Sequence, residues 1–196
     1  MDSNKRAPRG RVRIVGGEMR GRRVDVPAAA GVRPTPDRVR ETLFNWLGQR
    51  LDGAACLDLY AGSGALGFEA ASRGAARVVM VEADRGVAAA LRRSREQLGA
   101  AAVEIVAGDA LAYLVHGGER FDVVFLDPPF RQNALPALLD ALPVRLLPGA
   151  RVYLEAAQPA VAAAPWRELK RSRAGQVSYQ LLQWSGHDPS GLPGDL

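Results

Sequence analysis

Cysteine is nearly absent from this chain. Cys56 is the one thiol in 196 residues, which excludes an intrachain disulfide, and its place inside an apolar run makes it a core side chain. Histidine is almost as scarce. His116 and His187 stand alone, without the neighbouring ligand spacing a metal cluster requires, so no metal is expected and a metal- or thiol-based mechanism has no footing. No uninterrupted apolar stretch reaches the roughly eighteen residues needed to cross a bilayer, and Met1 to Gly10 lacks the apolar centre of a signal peptide. A soluble, cytoplasmic protein without a membrane partner is the expectation. No internal repeat is visible, and lysine is confined to Lys5 and Lys170.

What is present is enough apolar residue, 47% of the chain, to bury one substantial core. Charge is distributed unevenly. Residues 1–50 hold twelve Lys or Arg against five Asp or Glu, a surplus of seven, whereas the whole chain nets +5. Arg9, Arg11, Arg13, Arg20, Arg22 and Arg23 crowd this arm, followed by Arg33, Arg38 and Arg40. Any one of them reads as an ordinary solvated cation in a chain biased toward Arg and Ala. Their clustering is what suits a polyanionic partner.

Periodicity gives the architecture. Residues 11–15 and 22–26 alternate apolar and basic, as in a short hairpin with Gly16, Gly17 and Gly21 between. Residues 36–50 place Val39, Leu43, Trp46 and Leu47 on one helical face, leaving Arg38, Arg40 and Glu41 for solvent or a site. Strands at 54–60, 77–82, 102–107, 121–126 and 150–155 then alternate with helices near 65–73, 85–98, after Asp109, and near 132–142. This is the pattern of a parallel, three-layered α/β domain. Residues 166–173 and 176–184 read as a closing pair turned at Gly175, and the Gly/Pro-rich tail 185–196 as disordered. The expected division is a basic arm over 1–36, a catalytic domain over 37–184 and the tail.

The chemistry lies at the strand ends. Asp127-Pro128-Pro129-Phe130 follows the apolar run Phe121 to Leu126, so a carboxylate, two stiff prolines and an aromatic face emerge where a buried strand surfaces. That group suits methylation of a planar exocyclic amine, a poor nucleophile because its lone pair is delocalised. Asp127 and the Pro128 carbonyl can each accept one N–H and draw the nitrogen toward tetrahedral geometry, while Phe130 stacks on the ring. Alone, the tetrapeptide is equally an Asp-Pro turn. Upstream, Gly62, Gly64 and Gly67 form a glycine turn between strand and helix that also fits a dinucleotide fingerprint. Asp58, four residues before the first glycine, would repel a pyrophosphate but could hold the cationic amino-acid end of S-adenosylmethionine. Glu82 and Asp109 close the next two strands, where they could bind ribose hydroxyls and the adenine amine, or merely cap helices.

Together with Arg13-Ile14-Val15-Gly16-Gly17-Glu18-Met19-Arg20-Gly21-Arg22 and the run Arg33 to Leu47, these motifs resemble the RsmD family of bacterial small-subunit ribosomal RNA guanine-N2 methyltransferases, over roughly residues 11–184. Pro36 stands where that family usually has a second threonine. Thr35 is expected to cap the helix, with Pro36 in its first turn. The resemblance implies a doubly wound, Rossmann-like class I methyltransferase with a mostly parallel seven-stranded sheet and an antiparallel last strand. It implies S-adenosylmethionine held by Asp58, Tyr60, Ala61, Gly62, Ser63, Gly64, Glu82, Ala83, Asp109, Ala110 and Asp127. Asp127, Pro128, Pro129 and Phe130 would be catalytic, and Arg11, Arg13, Arg20, Arg22, Arg23, Arg33, Arg38 and Arg40 would meet RNA. The implied product is N2-methylguanosine at position 966 of 16S ribosomal RNA, made on an assembling or assembled small subunit by a monomer. Rival readings are a DNA adenine or cytosine amino-methyltransferase, a protein glutamine methyltransferase, a nicotinamide-dependent oxidoreductase and a non-enzymatic RNA chaperone.

Overall fold

The computed structural model describes residues 10–26, 35–129, 134–159 and 164–186. Phe130, Arg33, His187 and the tail beyond it lie outside the described residues. Two short strands, β1 (Gly10–Arg13) and β2 (Arg23–Val26), pair antiparallel with Val12 opposite Val24. Helix α1 (Asp37–Trp46) leads into the main alternation: β3 (Ala55–Asp58), α2 (Ala65–Ser72), β4 (Arg77–Glu82), α3 (Arg85–Leu98), β5 (Val103–Ala107), α4 (Ala110–His116), β6 (Phe121–Leu126) and α5 (Leu135–Ala141). A 3-10 turn over Leu142–Arg145 enters β7 (Leu146–Ala156), and β8 (Trp166–Ala174) and β9 (Val177–Trp184) complete the order.

The other seven strands form one sheet in the order β5-β4-β3-β6-β7-β9-β8. Only β9 runs against its neighbours, antiparallel to both β7 and β8. It threads between them, a placement that periodicity could not show. Helices α1, α2 and α3 pack on one face with Phe44, Phe68 and Leu91, and α4 and α5 cover the other with Leu114 and Leu138. Strands β4 and β6 are covered on both faces, which is why Val78 to Val81 and Val123 to Leu126 are continuous apolar runs with no exposure. Strand order reverses at β3, with β4 on one side and β6 on the other. Such a reversal opens a crevice beyond the C-terminal strand ends.

Local signals explain the element boundaries. The α3 helix starts at Asp84, whose carboxylate accepts from Gly86 N and Val87 N, and stops at Gly99 in the left-handed region. Helix α1 is shorter than its expected span of 36–50, because Gly48 and Gln49 both turn left-handed and Gln49 N donates to the Phe44 carbonyl. Strand β7 starts four residues earlier than expected. Its pairing with β6 shifts register between Phe121 and Val123, which absorbs the Pro148-Gly149 turn signal as an irregularity within the strand.

The hairpin joining β1 to β2 is keyed to α2. Glu69, with no exposed surface, accepts from Val15 N and Gly16 N at 2.9 and 2.8 Å. The Ser72 hydroxyl donates to the Gly16 carbonyl and accepts from Met19 N. A Cβ on Gly17, at φ +73°, would fall 1.8 Å from the Ser72 carbonyl oxygen, so only glycine fits this approach.

Two expectations require correction here. Arg40 faces neither solvent nor a site: it is fully buried, bonded to Glu69 at 3.2 Å, to Asp37 at 2.6 Å and to the Arg13 and Thr35 carbonyls. Its guanidinium is bonded to four acceptors inside the protein and has no exposed surface to offer a phosphate. Thr35 does not cap α1, whose N-cap is Pro36 without a side-chain bond. The Thr35 hydroxyl turns instead to Glu155.

Candidate active site

Carboxylates gather at the crevice as the doubly wound order requires. Asp58 ends β3 and Glu82 ends β4. Asp109 follows β5 as the N-cap of α4, and Asp127 follows β6. A fifth acid, Glu155, expected from the sequence only as a strand residue, sits near the end of β7.

The glycine turn is shaped by the first two. Asp58 Oδ2 accepts from Gly67 N at 3.1 Å, and Glu82 Oε2 accepts from Gly62 N at 2.9 Å. Gly64, at φ +77°, is the N-cap of α2, and a Cβ there would strike Phe68 at 2.6 Å. A Cβ on Gly67 would strike Met80 at 2.7 Å, so that glycine lets α2 close on β4. Ala61 and Ser63 are buried within the turn, Ala110 is buried at the start of α4, and Ala83 is exposed just beyond β4. Tyr60 is half-buried, its phenol pushed up by burial and then by the charge of Asp109. Glu82 Oε1 also accepts from Asp84 N, and Asp109 Oδ1 from Ala112 N. Glu82 thus has both oxygens bonded to backbone amides, and Asp58 and Asp109 each have at least one, which fixes their directions.

Electrostatics set this crevice apart from a solvated acidic edge. Burial pushes the Asp58 carboxyl up to about 7, with Glu82 adding to it against hydrogen bonds from the Gly67 and Tyr60 amides. Asp127 rises to about 8, through burial first and then the charges of Glu155 and Asp58. Glu155 is raised by burial against bonds from the Tyr153 and Thr35 hydroxyls. Carboxyls crowded in this way attract a ligand that brings positive charge. S-adenosylmethionine carries a sulfonium and an ammonium, and a dinucleotide pyrophosphate would add negative charge where it is least tolerated. The donor set therefore fits the former.

A stability consequence follows. Asp58 and Asp127 hold their protons more tightly in the folded chain than in the unfolded one, where carboxyls titrate near 4. Between about pH 4 and pH 8 the unfolded chain releases protons that the folded chain keeps, so stability falls as pH rises through that window. Thermal unfolding of the cofactor-free protein should show Tm decreasing from pH 5 toward pH 8, and Asp127→Asn should flatten that slope. A Tm that instead rises across this window would contradict the electrostatics described.

The described prolines complete the loop after β6: Pro128 is buried and Pro129 exposed. Of the arginines expected to meet RNA, Arg11, Arg13, Arg20, Arg23 and Arg38 are exposed. Arg11 also pairs with Asp25 at 3.0 Å and Arg13 with Asp37 at 3.5 Å. Arg22 is exposed as well but spends its guanidinium on the Leu98 and Gln97 carbonyls, at the C-terminus of α3. A groove of about 730 Å³ lies at the other end of the sheet, beneath the docked hairpin, lined by Glu18, Arg20, Glu41, Asn45 and Arg50 among others. Its mixed charges and distance from the strand C-termini separate it from the crevice.

The family described as Conserved hypothetical protein 95 matches residues 12–183. Ribosomal RNA small subunit methyltransferase D of Escherichia coli is 43% identical over 180 residues, covering 89% of this chain and 90% of that protein. The chain belongs to the RsmD family. The Haemophilus influenzae member is 41% identical over 183 residues, covering 89% of this chain and 95% of the relative. Among solved structures, a putative methyltransferase from Escherichia coli superposes with a TM-score of 0.83 at 42% identity, over 91% of this chain and all of the other. The family fold is that of S-adenosylmethionine-dependent methyltransferases, with the mostly parallel seven-stranded sheet seen here, and S-adenosylmethionine is its cofactor.

Proposed function

We propose that this protein transfers a methyl group from S-adenosylmethionine to the exocyclic N2 of one guanosine in small-subunit ribosomal RNA, the residue at position 966 of 16S RNA by the family resemblance. The observation that carries the reading is the Asp127-Pro128-Pro129 loop at the C-terminal end of β6, within a ring of strand-end acids, in a chain 43% identical to a relative named as a small-subunit ribosomal RNA methyltransferase.

In this reading Asp58, Glu82 and Asp109 hold the cofactor's amino-acid end, ribose and adenine. When bound, S-adenosylmethionine supplies an electrophilic methyl whose bonding pair stays on sulfur as the amine lone pair forms the new C–N bond. Asp127 and the Pro128 carbonyl take one N–H each, localising that lone pair, and the two prolines keep the loop from relaxing. Phe130, outside the described residues, is assigned to stack on the base. The methylated nitrogen is cationic and sheds one proton to Asp127. The exposed arginines of the ribbon and Arg38 supply phosphate contacts, so binding should weaken steeply with salt.

The test is methyl transfer from labelled S-adenosylmethionine to small ribosomal subunits lacking this modification, followed by nucleoside analysis. N2-methylguanosine at a single position is the expected product. N6-methyladenosine or N4-methylcytidine would overturn the guanine assignment, and absence of transfer to RNA would overturn the substrate class.

A further inference from the structure

Glu155 has no part in the mechanism above, yet it ends the strand beside the one that carries Asp127. Leu126 and Leu154 are register partners across β6 and β7, so Asp127 and Glu155 follow them at adjacent strand ends. Glu155 is buried and held from two directions: by the Tyr153 phenol of its own strand at 2.7 Å, and by the hydroxyl of Thr35 ahead of α1. Thr35 is in turn fixed through its carbonyl by the buried Arg40.

Among the described residues, the charges that raise the Asp127 carboxyl are those of Glu155 and Asp58. Asp58 faces it from β3 and Glu155 from β7, with Glu82 of β4 acting on Asp58. Tyr153 stands behind Glu155, and Tyr179 of β9 packs on Tyr153 with ring centroids 6.3 Å apart. A glutamine would fill the space of Glu155 equally well. What the carboxylate adds, when ionised, is a negative charge that two hydroxyl donors favour against the burial that raises it, next to the carboxyl that faces the substrate amine.

Resting on the methyl-transfer reading, we propose that Glu155 is a positioning residue whose charge makes Asp127 a stronger base toward the substrate amine, whose proton it takes after methylation. After transfer the nitrogen carries the new methyl, two protons and a positive charge. One proton passes to the Asp127 carboxylate, leaving a neutral amine and a neutral carboxylic acid, which then releases the proton to water. Burial of Asp127 contributes to the same end. Glu155 tunes it without touching the substrate.

The test follows the Asp127 carboxyl carbon by NMR in cofactor-free protein labelled at aspartate, assigned by its loss in Asp127→Asn. In Glu155→Gln its titration midpoint should move down by about one unit or more, and the acid limb of single-turnover methyl transfer should move to lower pH with it. Thr35→Val removes one donor from Glu155, which then keeps its own proton more readily. Both readouts should shift the same way by less, and this variant decides the matter if Glu155→Gln fails to fold. An unmoved midpoint and limb, with only a lower plateau, would reduce Glu155 to scaffold and overturn the proposal. Failure of the wild-type protein to methylate a guanine amine would instead sink the functional reading, while the NMR midpoint would still report whether Glu155 controls Asp127.

Discussion

Replacing Asp127 with Ala is expected to slow single-turnover methyl transfer by roughly 10²–10⁴-fold while S-adenosylmethionine affinity stays within about threefold of wild type. The split follows from geometry. Cofactor contacts are assigned to Asp58, Glu82 and Asp109, each already oriented by a backbone amide, whereas Asp127 lies one strand further along, its carboxyl raised by burial and by the charges of Glu155 and Asp58. Its removal costs the acceptor that localises the amine lone pair and the base that collects the proton. It also relieves repulsion on Asp58, which offsets any lost attraction for the cofactor's positive charge. Isothermal titration of the cofactor beside rapid-quench turnover measures both quantities. Equal losses in both would show that Asp127 shapes the pocket and has no selective part in the chemistry. A further sign separates the cases: the variant should be more stable than wild type near pH 8, because a carboxyl whose charge is disfavoured in the folded chain is gone.

Much of this site was legible because its signals are local. Asp84 and Gly99 bracket α3 by capping chemistry that needs no tertiary partner. The runs in β4 and β6 are apolar throughout because both faces are covered. The rule that acids at parallel strand ends share one crevice picked out Asp58, Glu82, Asp109 and Asp127. Applied to the fifth strand it would also have found Glu155, which was passed over because no glycine turn or proline marks it. Arg40 and Thr35 were misread for another reason. A charged residue on an amphipathic helix looks solvated when its partners are distant in sequence, and Glu69 lies 29 residues away. Thr35 had a plausible local task as a cap, and its actual bond to Glu155 spans the fold.

Glu69→Gln should be the most destabilising single change described here, by about 3–5 kcal/mol, with Tm lower by roughly 10 °C or more. Glu69 joins the buried Arg40 at 3.2 Å and the half-buried Arg73 at 2.8 Å to the amides of Val15 and Gly16. Arg73 also lies over the Phe44 ring at 4.7 Å. Glutamine keeps the shape but leaves Arg40, which has no exposed surface, with Asp37 as its remaining acidic partner. The hairpin would lose its anchor at the same time, so amide exchange at Val15 and Gly16 should quicken more than exchange in β4. Because the Arg40 guanidinium also fixes the Thr35 and Arg13 carbonyls, the damage should reach both the basic ribbon and the support of Glu155. RNA affinity should therefore fall along with turnover, while the glycine turn, held by Asp58 and Glu82, keeps its cofactor contacts. If the loss came from the missing hairpin amide bonds alone, replacing Arg40 and Glu69 together by Met would be as harmful as Glu69→Gln. If it comes from an unbalanced buried charge, the double replacement should recover part of the stability, and the second outcome is the one expected.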